Sequence, residues 1–171
     1  MTTAERANGQ RPVYKWMESP IGRLKLVATD QGLAGILWQK ERPGRVAFSR
    51  PVQDVSHEVL VEAERQLNDY FGGRRQAFDL RLDFAGTEFQ RQVWAALLTI
   101  PFGETRSYAQ IARQIGRPSA TRAVGAANGR NPIAIVAPCH RVVGSSGALT
   151  GFAGGLEAKA YLLTLESGGR H

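Results

Sequence analysis

Gly86 divides this chain into two stretches that cannot fold alike. Before it, short β-prone runs dominate: Val13 to Met17, Leu24 to Thr29 and Leu33 to Gln39, with Asp30-Gln31-Gly32 between the last two predicting a hairpin turn. Glu41 to Pro51 reads as loop. Ser56 can cap a helix whose apolar residues Val59, Leu60, Ala63, Leu67 and Tyr70 recur at helical spacing, and Gly72-Gly73 ends it. Phe78, Leu80, Leu82 and Phe84 alternate with Asp79, Arg81 and Asp83, the pattern of a half-buried strand. This stretch holds no chemical motif. Beyond Gly86 the pattern becomes helical. Thr87 with Gln90 and Ser107 with Gln110 form two capping boxes, each the start of a helix. The first helix carries Phe89, Val93, Trp94 and Leu97 on one face and stops at Pro101 and Gly103. The second is short, Tyr108 to Ile115; Gly116-Arg117-Pro118 breaks it, and Ser119 caps a third running to about Asn128. Two short helices joined by a tight Gly-containing turn have the form of a helix-turn-helix, although many helical hairpins look the same. A final amphipathic helix spans Leu156 to Ser167, ended by Gly168-Gly169.

The predicted fold class is α+β. A flexible leader over residues 1–12 precedes a small N-terminal α/β domain over 13–85, built on an antiparallel sheet. A mainly helical C-terminal domain over 86–171 follows. No apolar run approaches the roughly 20 residues that span a bilayer. The first residues are polar and lack the apolar centre of a signal peptide, so a cytoplasmic, generally intracellular, location without a membrane is expected. The net charge is +7 without a block of like charges. That balance suits a polyanionic partner such as nucleic acid, bound by folded surface and not by a basic tail.

Two features carry chemistry. The third helix of the second stretch follows Arg122 with Ala123, Val124, Gly125, Ala126 and Ala127, nearly all small. Close helix packing explains that, and so does a helix slim enough for a minor groove about 6 Å wide, led by one long cation. The single cysteine of the chain, Cys139, lies in the run from Asn131-Pro132 to Pro138-Cys139-His140-Arg141-Val142-Val143. An adjacent histidine and arginine can hold a thiol as thiolate, its nucleophilic form. The apolar residues before it read as a buried strand. With no second cysteine there is no internal disulfide, and a zinc site would lack its thiolate pair, so no metal is expected. A catalytic thiol needs a base and a group to orient that base. His140 is the base candidate, but in an extended segment it would face away from Cys139, so a turn or a bridging water is required. No carboxylate occurs between Glu104 and Glu157, which leaves Glu157 and Glu166 as orienting candidates. Glu166 near a helix C-terminus opposes the helix dipole and calls for an electrostatic reason to be there.

The segments Gly103-Glu104-Thr105-Arg106-Ser107-Tyr108, Arg122 to Asn128, Asn131 through Pro138-Cys139-His140-Arg141-Val142, and Ser146 to Leu156 with Lys159 together resemble the O6-alkylguanine-DNA alkyltransferase family. The resemblance is close from Gly86 to Glu166 and loose before it. It implies a ribonuclease H-like N-terminal domain and a winged helix-turn-helix in the C-terminal one. It also implies DNA repair by direct reversal: a methyl or other alkyl group passes from O6 of guanine, and from O4 of thymine, to the protein's own cysteine after base flipping. The transfer is irreversible and occurs once per molecule. By position Cys139 is the acceptor, His140 the base acting through a water, Glu166 its orienting group, and Asn131 the organiser of the turn. Tyr108 is the proton donor to the departing guanine and also lies at the nucleotide's phosphate. Arg122 fills the gap left by the flipped base, with Ala123, Ala126, Ala127 and Ser145 on the DNA. Phe152, Ala153 and Val142 form the base pocket. No cofactor and no obligate protein partner are implied; the partner is double-stranded DNA containing O6-alkylguanine.

Two positions depart from the family pattern. Phe152 stands where many relatives have tyrosine, and Ala153 where a Ser or Gly is usual, so altered substrate tolerance is expected. Other classes also fit a Cys-His pair on a basic domain: a silent binder of alkylated DNA, against which Cys139 itself argues, a thiol hydrolase, and a methylation-triggered activator, for whose regulatory domain there is no room.

Overall fold

The computed structural model describes residues 11–168, and its two compact units meet between Ala85 and Gly86. In the first unit β1 (Val13–Met17), β2 (Leu24–Thr29) and β3 (Gly32–Trp38) form an antiparallel meander, with Asp30 and Gln31 as the turn. A fourth, two-residue strand, β4 (Val52–Gln53), pairs parallel with β1, giving the order β3-β2-β1-β4. The sheet is therefore mixed, not antiparallel throughout. A two-residue strand has no period to read, and here two backbone bonds make it, Val52 N–H to Pro12 O and Asp54 N–H to Tyr14 O, both 2.9 Å. Of the expected leader, residues 1–10 lie outside the described residues; at its end Arg11 Nε–H donates to the Arg50 carbonyl at 2.7 Å.

Helix α1 (Glu58–Phe71) buries Leu60, Ala63, Leu67 and Tyr70, the inward stripe of its period. Its cap is His57, not Ser56: His57 Nδ1 accepts from the Val59 amide at 3.3 Å, while Ser56 bonds to Asp54. Gly73, at φ +77°, ends it through the paired bonds Gly73 N–H to Tyr70 O and Arg74 N–H to Asp69 O. The strand expected at Phe78–Phe84 is an extended strap with one bridge, Leu33 to Leu82. Instead of a ladder partner, the Gln66 amide brackets Asp79, accepting from its N–H and donating to its C=O, both at 2.9 Å. Gly32 permits the close approach of the strap. Its φ is +142°, and a Cβ there would lie 2.4 Å from the Arg81 carbonyl oxygen.

In the second unit α2 (Glu88–Leu97) starts at the Thr87/Gln90 capping box and buries Val93, Trp94, Ala96 and Leu97. Strand β5 (Arg106–Ser107) leads into α3 (Tyr108–Gln114), which opens with the Ser107/Gln110 box. Gly116, at φ +75°, closes α3 with Gly116 N–H to Arg113 O and Arg117 N–H to Ala112 O, the tight turn of a helix-turn-helix. Helix α4 (Thr121–Gly129) follows. Ala120 is its cap residue, with no side-chain bond, so Ser119 does not cap it. Ile111 and Ala112 of α3 and Val124 and Ala127 of α4 are buried with Trp94, whose Nε1–H donates to the Ala127 carbonyl at 2.8 Å. Strand β6 (Val142–Val143) pairs with β5, and the wing loop after it leads to α5 (Leu156–Glu166). Helix α5 is not amphipathic in the simple sense expected. Lys159 and Glu166 are buried on it along with Ala158, Leu162 and Leu163. No helix among the described residues is long and apolar enough to cross a membrane.

Candidate active site

The cysteine is presented by a turn and not by the strand expected for residues 131–138. Asn131 builds that turn: its Nδ2–H donates to the Ala137 carbonyl at 2.8 Å and its Oδ1 accepts from the Ile133 amide at 3.0 Å. Backbone bonds Val136 N–H to Ala134 O and Ala137 N–H to Ile133 O, both 2.9 Å, close it further. Ile135 is driven to φ +74°, a left-handed conformation that strains a β-branched residue by about 1–3 kcal/mol. The run is apolar because the whole turn is buried, and burial alone does not separate turn from strand. Cys139, His140 and Arg141 then form a single 3-10 turn. Successive side chains now diverge by about 120°, so His140 is not carried to the face opposite Cys139.

The polar groups here are buried together: Cys139 is 5% exposed, His140 0%, Arg141 6% and Glu166 5%. His140 Nε2 lies 2.7 Å from Glu166 Oε2. Arg141 grips the same carboxylate, Nε to Oε1 at 2.7 Å and Nη2 to Oε2 at 2.9 Å, while its Nη1 donates to the Ile100 carbonyl at 2.6 Å. This is the electrostatic reason for an acid in the last turn of α5. Burial disfavours the Glu166 charge, but the hydrogen bonds and charge of His140 and Arg141 outweigh it and hold its carboxyl at about 2, below the ordinary 4.5. Burial is the largest influence on His140 and keeps it below its ordinary 6.5 despite Glu166. At neutral pH the imidazole is therefore uncharged beside an anionic acceptor. That fixes the proton on Nε2 and leaves a lone pair on Nδ1. His140 Nδ1 is buried with no hydrogen-bond partner, so its lone pair is free to accept a proton.

Lys159, 0% exposed, ties this turn to the wing: its Nζ donates to the carbonyls of Val142 at 2.7 Å and Thr150 at 3.2 Å. Burial lowers its pKa, and the nearby Cys139 charge opposes that. Tyr108 opens α3 with its hydroxyl 2.5 Å from Thr150 Oγ1. Its ring rests on α4, where a Cβ on Gly125 would lie 3.8 Å from Tyr108 Cδ1. Phe152 stands edge-on to His140 with ring centroids 6.5 Å apart, and Ala153 beside it is half-buried. On α4, Arg122, Ala123 and Ala126 are exposed, as is Ser145 in the wing. Ala127 and Val142 are buried. Ala127 does not belong to the outward face; it is 3% exposed, on the inward stripe with Val124 and Asn128 at helical spacing. Val142 has no exposed surface; it pairs with Arg106 of β5, and its carbonyl accepts from Lys159 Nζ. Among the described residues no group of three or more His, Cys, Asp or Glu could hold a metal ion.

Residues 88–168 match the DNA-binding domain of 6-O-methylguanine DNA methyltransferase, and residues 13–84 match its ribonuclease-like domain. The chain belongs to the 6-O-methylguanine DNA methyltransferase family. The methylated-DNA--protein-cysteine methyltransferase of Mycolicibacterium paratuberculosis is 51% identical over 155 residues, covering 90% of this chain and 91% of the relative. The enzyme of the same name from Methanosarcina acetivorans is 50% identical, covering 90% and 97%. The crystal structure of Mycobacterium tuberculosis OGT in complex with DNA superposes with a TM-score of 0.83 at 49% identity, covering 91% of this chain and 92% of that one. The sequence gives Lys159 and Thr150 no role in the site, and Arg141 only a partial one. Arg141 was visible only as a cation beside the thiol, and its use as the clamp on Glu166 depends on a contact 25 residues away. Lys159 offered a clue as a lysine among the buried positions of a helix. Thr150 offered none.

Proposed function

We propose that this protein repairs DNA by direct reversal, moving an alkyl group, methyl above all, from O6 of guanine and from O4 of thymine to Cys139, once per molecule. The observation that carries the reading is the buried His140, next in sequence to Cys139, with its Nε2 bonded to Glu166 and its Nδ1 left without a partner. His140 takes the thiol proton at Nδ1, directly or through a water, and Glu166 steadies the imidazolium that results. The thiolate attacks the alkyl carbon, the C–O6 bond breaks, and Tyr108 gives its phenol proton to the departing guanine. The thioether formed is inert, which makes the reaction a single turnover. Glutamate alone would not hold this arrangement: Arg141 keeps Glu166 anionic, and Asn131 holds the turn that aims Cys139.

The unit that begins at Gly86 carries both DNA binding and alkyl transfer, and the unit before it serves as its companion domain. The partner is double-stranded DNA holding an O6-alkylguanine, met inside the cell. The exposed small face of α4 enters the minor groove, Arg122 replaces the extruded base in the stack, and Ala123, Ala126 and Ser145 approach the backbone. Extrusion costs a few kcal/mol, offset in part by that insertion. Phe152 and Ala153 receive the flipped guanine. The test is a titration of a duplex containing O6-methylguanine with increasing protein. Repaired lesions should plateau at one per protein molecule, and many repairs per molecule would overturn the proposal.

A further inference from the structure

Tyr108 and Thr150 lie 42 residues apart in sequence, one on α3 and one in the wing, with hydroxyl oxygens 2.5 Å apart. Each hydroxyl has one proton to donate and two lone pairs, so the pair has two arrangements. Either the phenol donates to Thr150 or Thr150 donates to the phenol. Only the second leaves the Tyr108 proton available to a third group. Thr150 is held firmly enough to matter. Its carbonyl accepts from the buried Lys159 Nζ at 3.2 Å. The same Nζ holds the Val142 carbonyl at 2.7 Å, one residue past the Cys139–Arg141 turn. A β-branched side chain has few rotamers about χ1, so by holding the Thr150 backbone Lys159 limits where the hydroxyl can lie.

We propose that Thr150 is a positioning residue for alkyl transfer, acting through Tyr108: it donates its hydroxyl proton to the Tyr108 oxygen, frees the phenol proton for the departing base, and stabilises the phenolate left behind. This rests on the alkyl-transfer reading given above. As the Cys139 Sγ–carbon bond forms, the carbon–O6 bond breaks and its electron pair passes into the guanine ring. The ring takes the phenol proton, and the charge arrives on the Tyr108 oxygen facing Thr150. The proton released by the thiol returns to the phenolate by way of His140 and solvent, so the net change is thiol plus O6-alkylguanine to thioether plus guanine. A donor preorganised toward developing charge is the common form of such assistance.

The experiment measures single-turnover methyl transfer from an O6-methylguanine duplex for wild type, Thr150→Val, Thr150→Ser, Tyr108→Phe and the double variant Thr150→Val/Tyr108→Phe. Valine keeps the branched shape without the hydroxyl and should slow transfer at least about tenfold, less than the roughly 10²–10³-fold of a donor aimed at the reacting oxyanion itself. Serine should restore most of the rate. In the Tyr108→Phe background the valine should add no more than about twofold, because there is no phenolate left to stabilise. Equal slowing in both backgrounds, a serine variant as slow as valine, or a valine variant at the wild-type rate would overturn the proposal. Should valine prevent folding, alanine takes its place in the same comparison. A wild type that transfers no methyl removes the alkyl-transfer reading itself, which sets that failure apart.

Discussion

Replacing Glu166 by glutamine keeps the shape of the side chain and leaves an oxygen to accept from His140 Nε2–H, but it removes the charge that Arg141 faces. The Arg141 guanidinium, 6% exposed, is then buried without its counter-charge. Two routes give the magnitude. Holding the Glu166 carboxyl at about 2 against an ordinary 4.5 corresponds to roughly 3 kcal/mol of preference for the charged form. Breaking one side of a buried pair costs about 3–5 kcal/mol. Urea unfolding at neutral pH should therefore find Glu166→Gln less stable by about 3 kcal/mol. The pH dependence has a definite sign. The folded carboxyl is more acidic than the unfolded one, so the stabilisation is complete above about 4.5 and fades as pH falls toward 2. The gap between wild type and variant should close over that window. His140, whose folded form resists protonation, lowers the stability of both proteins as pH drops below 6.5, and more so in the variant, which lacks the Glu166 charge that favours its protonation, so the closing of the gap is read below about 4.5. Methyl transfer at neutral pH should slow by about tenfold, short of the roughly 10²–10⁴-fold contributed by a general base, since the hydrogen bond to His140 survives. DNA affinity should be unchanged, as Glu166 is 5% exposed. A glutamine variant within 0.5 kcal/mol of wild type, transferring methyl at the same rate, would refute both the clamp and the base assignment.

Arg122→Ala should slow repair of O6-methylguanine in duplex DNA far more than reaction with free O6-benzylguanine, which needs no extrusion; equal losses on the two substrates would remove the base-replacing role. Asn131→Ala leaves the Ile133 amide unsatisfied in a buried turn, while the Ala137 carbonyl keeps its bond from the Cys139 amide at 2.7 Å, so chemical denaturation should register a loss of about 1–3 kcal/mol. An Asn131 variant of wild-type stability would mean that the backbone bonds hold the turn unaided.

The elements legible in the sequence were those whose cause is local. The two capping boxes, the Asp30-Gln31 hairpin turn and the glycine endings at Gly73 and Gly116 each depend on a few neighbouring residues, and each stands where the pattern put it. What the sequence hid depends on distant partners. Phe78–Phe84 alternates like a strand, yet the Gln66 side chain occupies the place of a ladder neighbour. Residues 131–138 are as apolar as a central strand, yet Asn131 and a strained Ile135 fold them into a turn, which leads into the 3-10 turn that holds Cys139 and His140. Elimination leaves Glu157 and Glu166 as partners for His140, and the resemblance points to Glu166. That Arg141 completes this pairing, and that Lys159 and Thr150 link the turn to Tyr108, depends on contacts between residues far apart in the chain.

The central claim is that Cys139 keeps the alkyl group it removes. Mass spectrometry after incubation with an O6-methylguanine duplex tests this at a single residue, because trypsin cutting after Arg130 and Arg141 releases residues 131–141 with the chain's one cysteine. The account predicts one added methyl group on that peptide, on Cys139, in step with restored guanine in the DNA. Restored guanine with an unmodified Cys139 peptide, or a methyl group on any other residue, would contradict it.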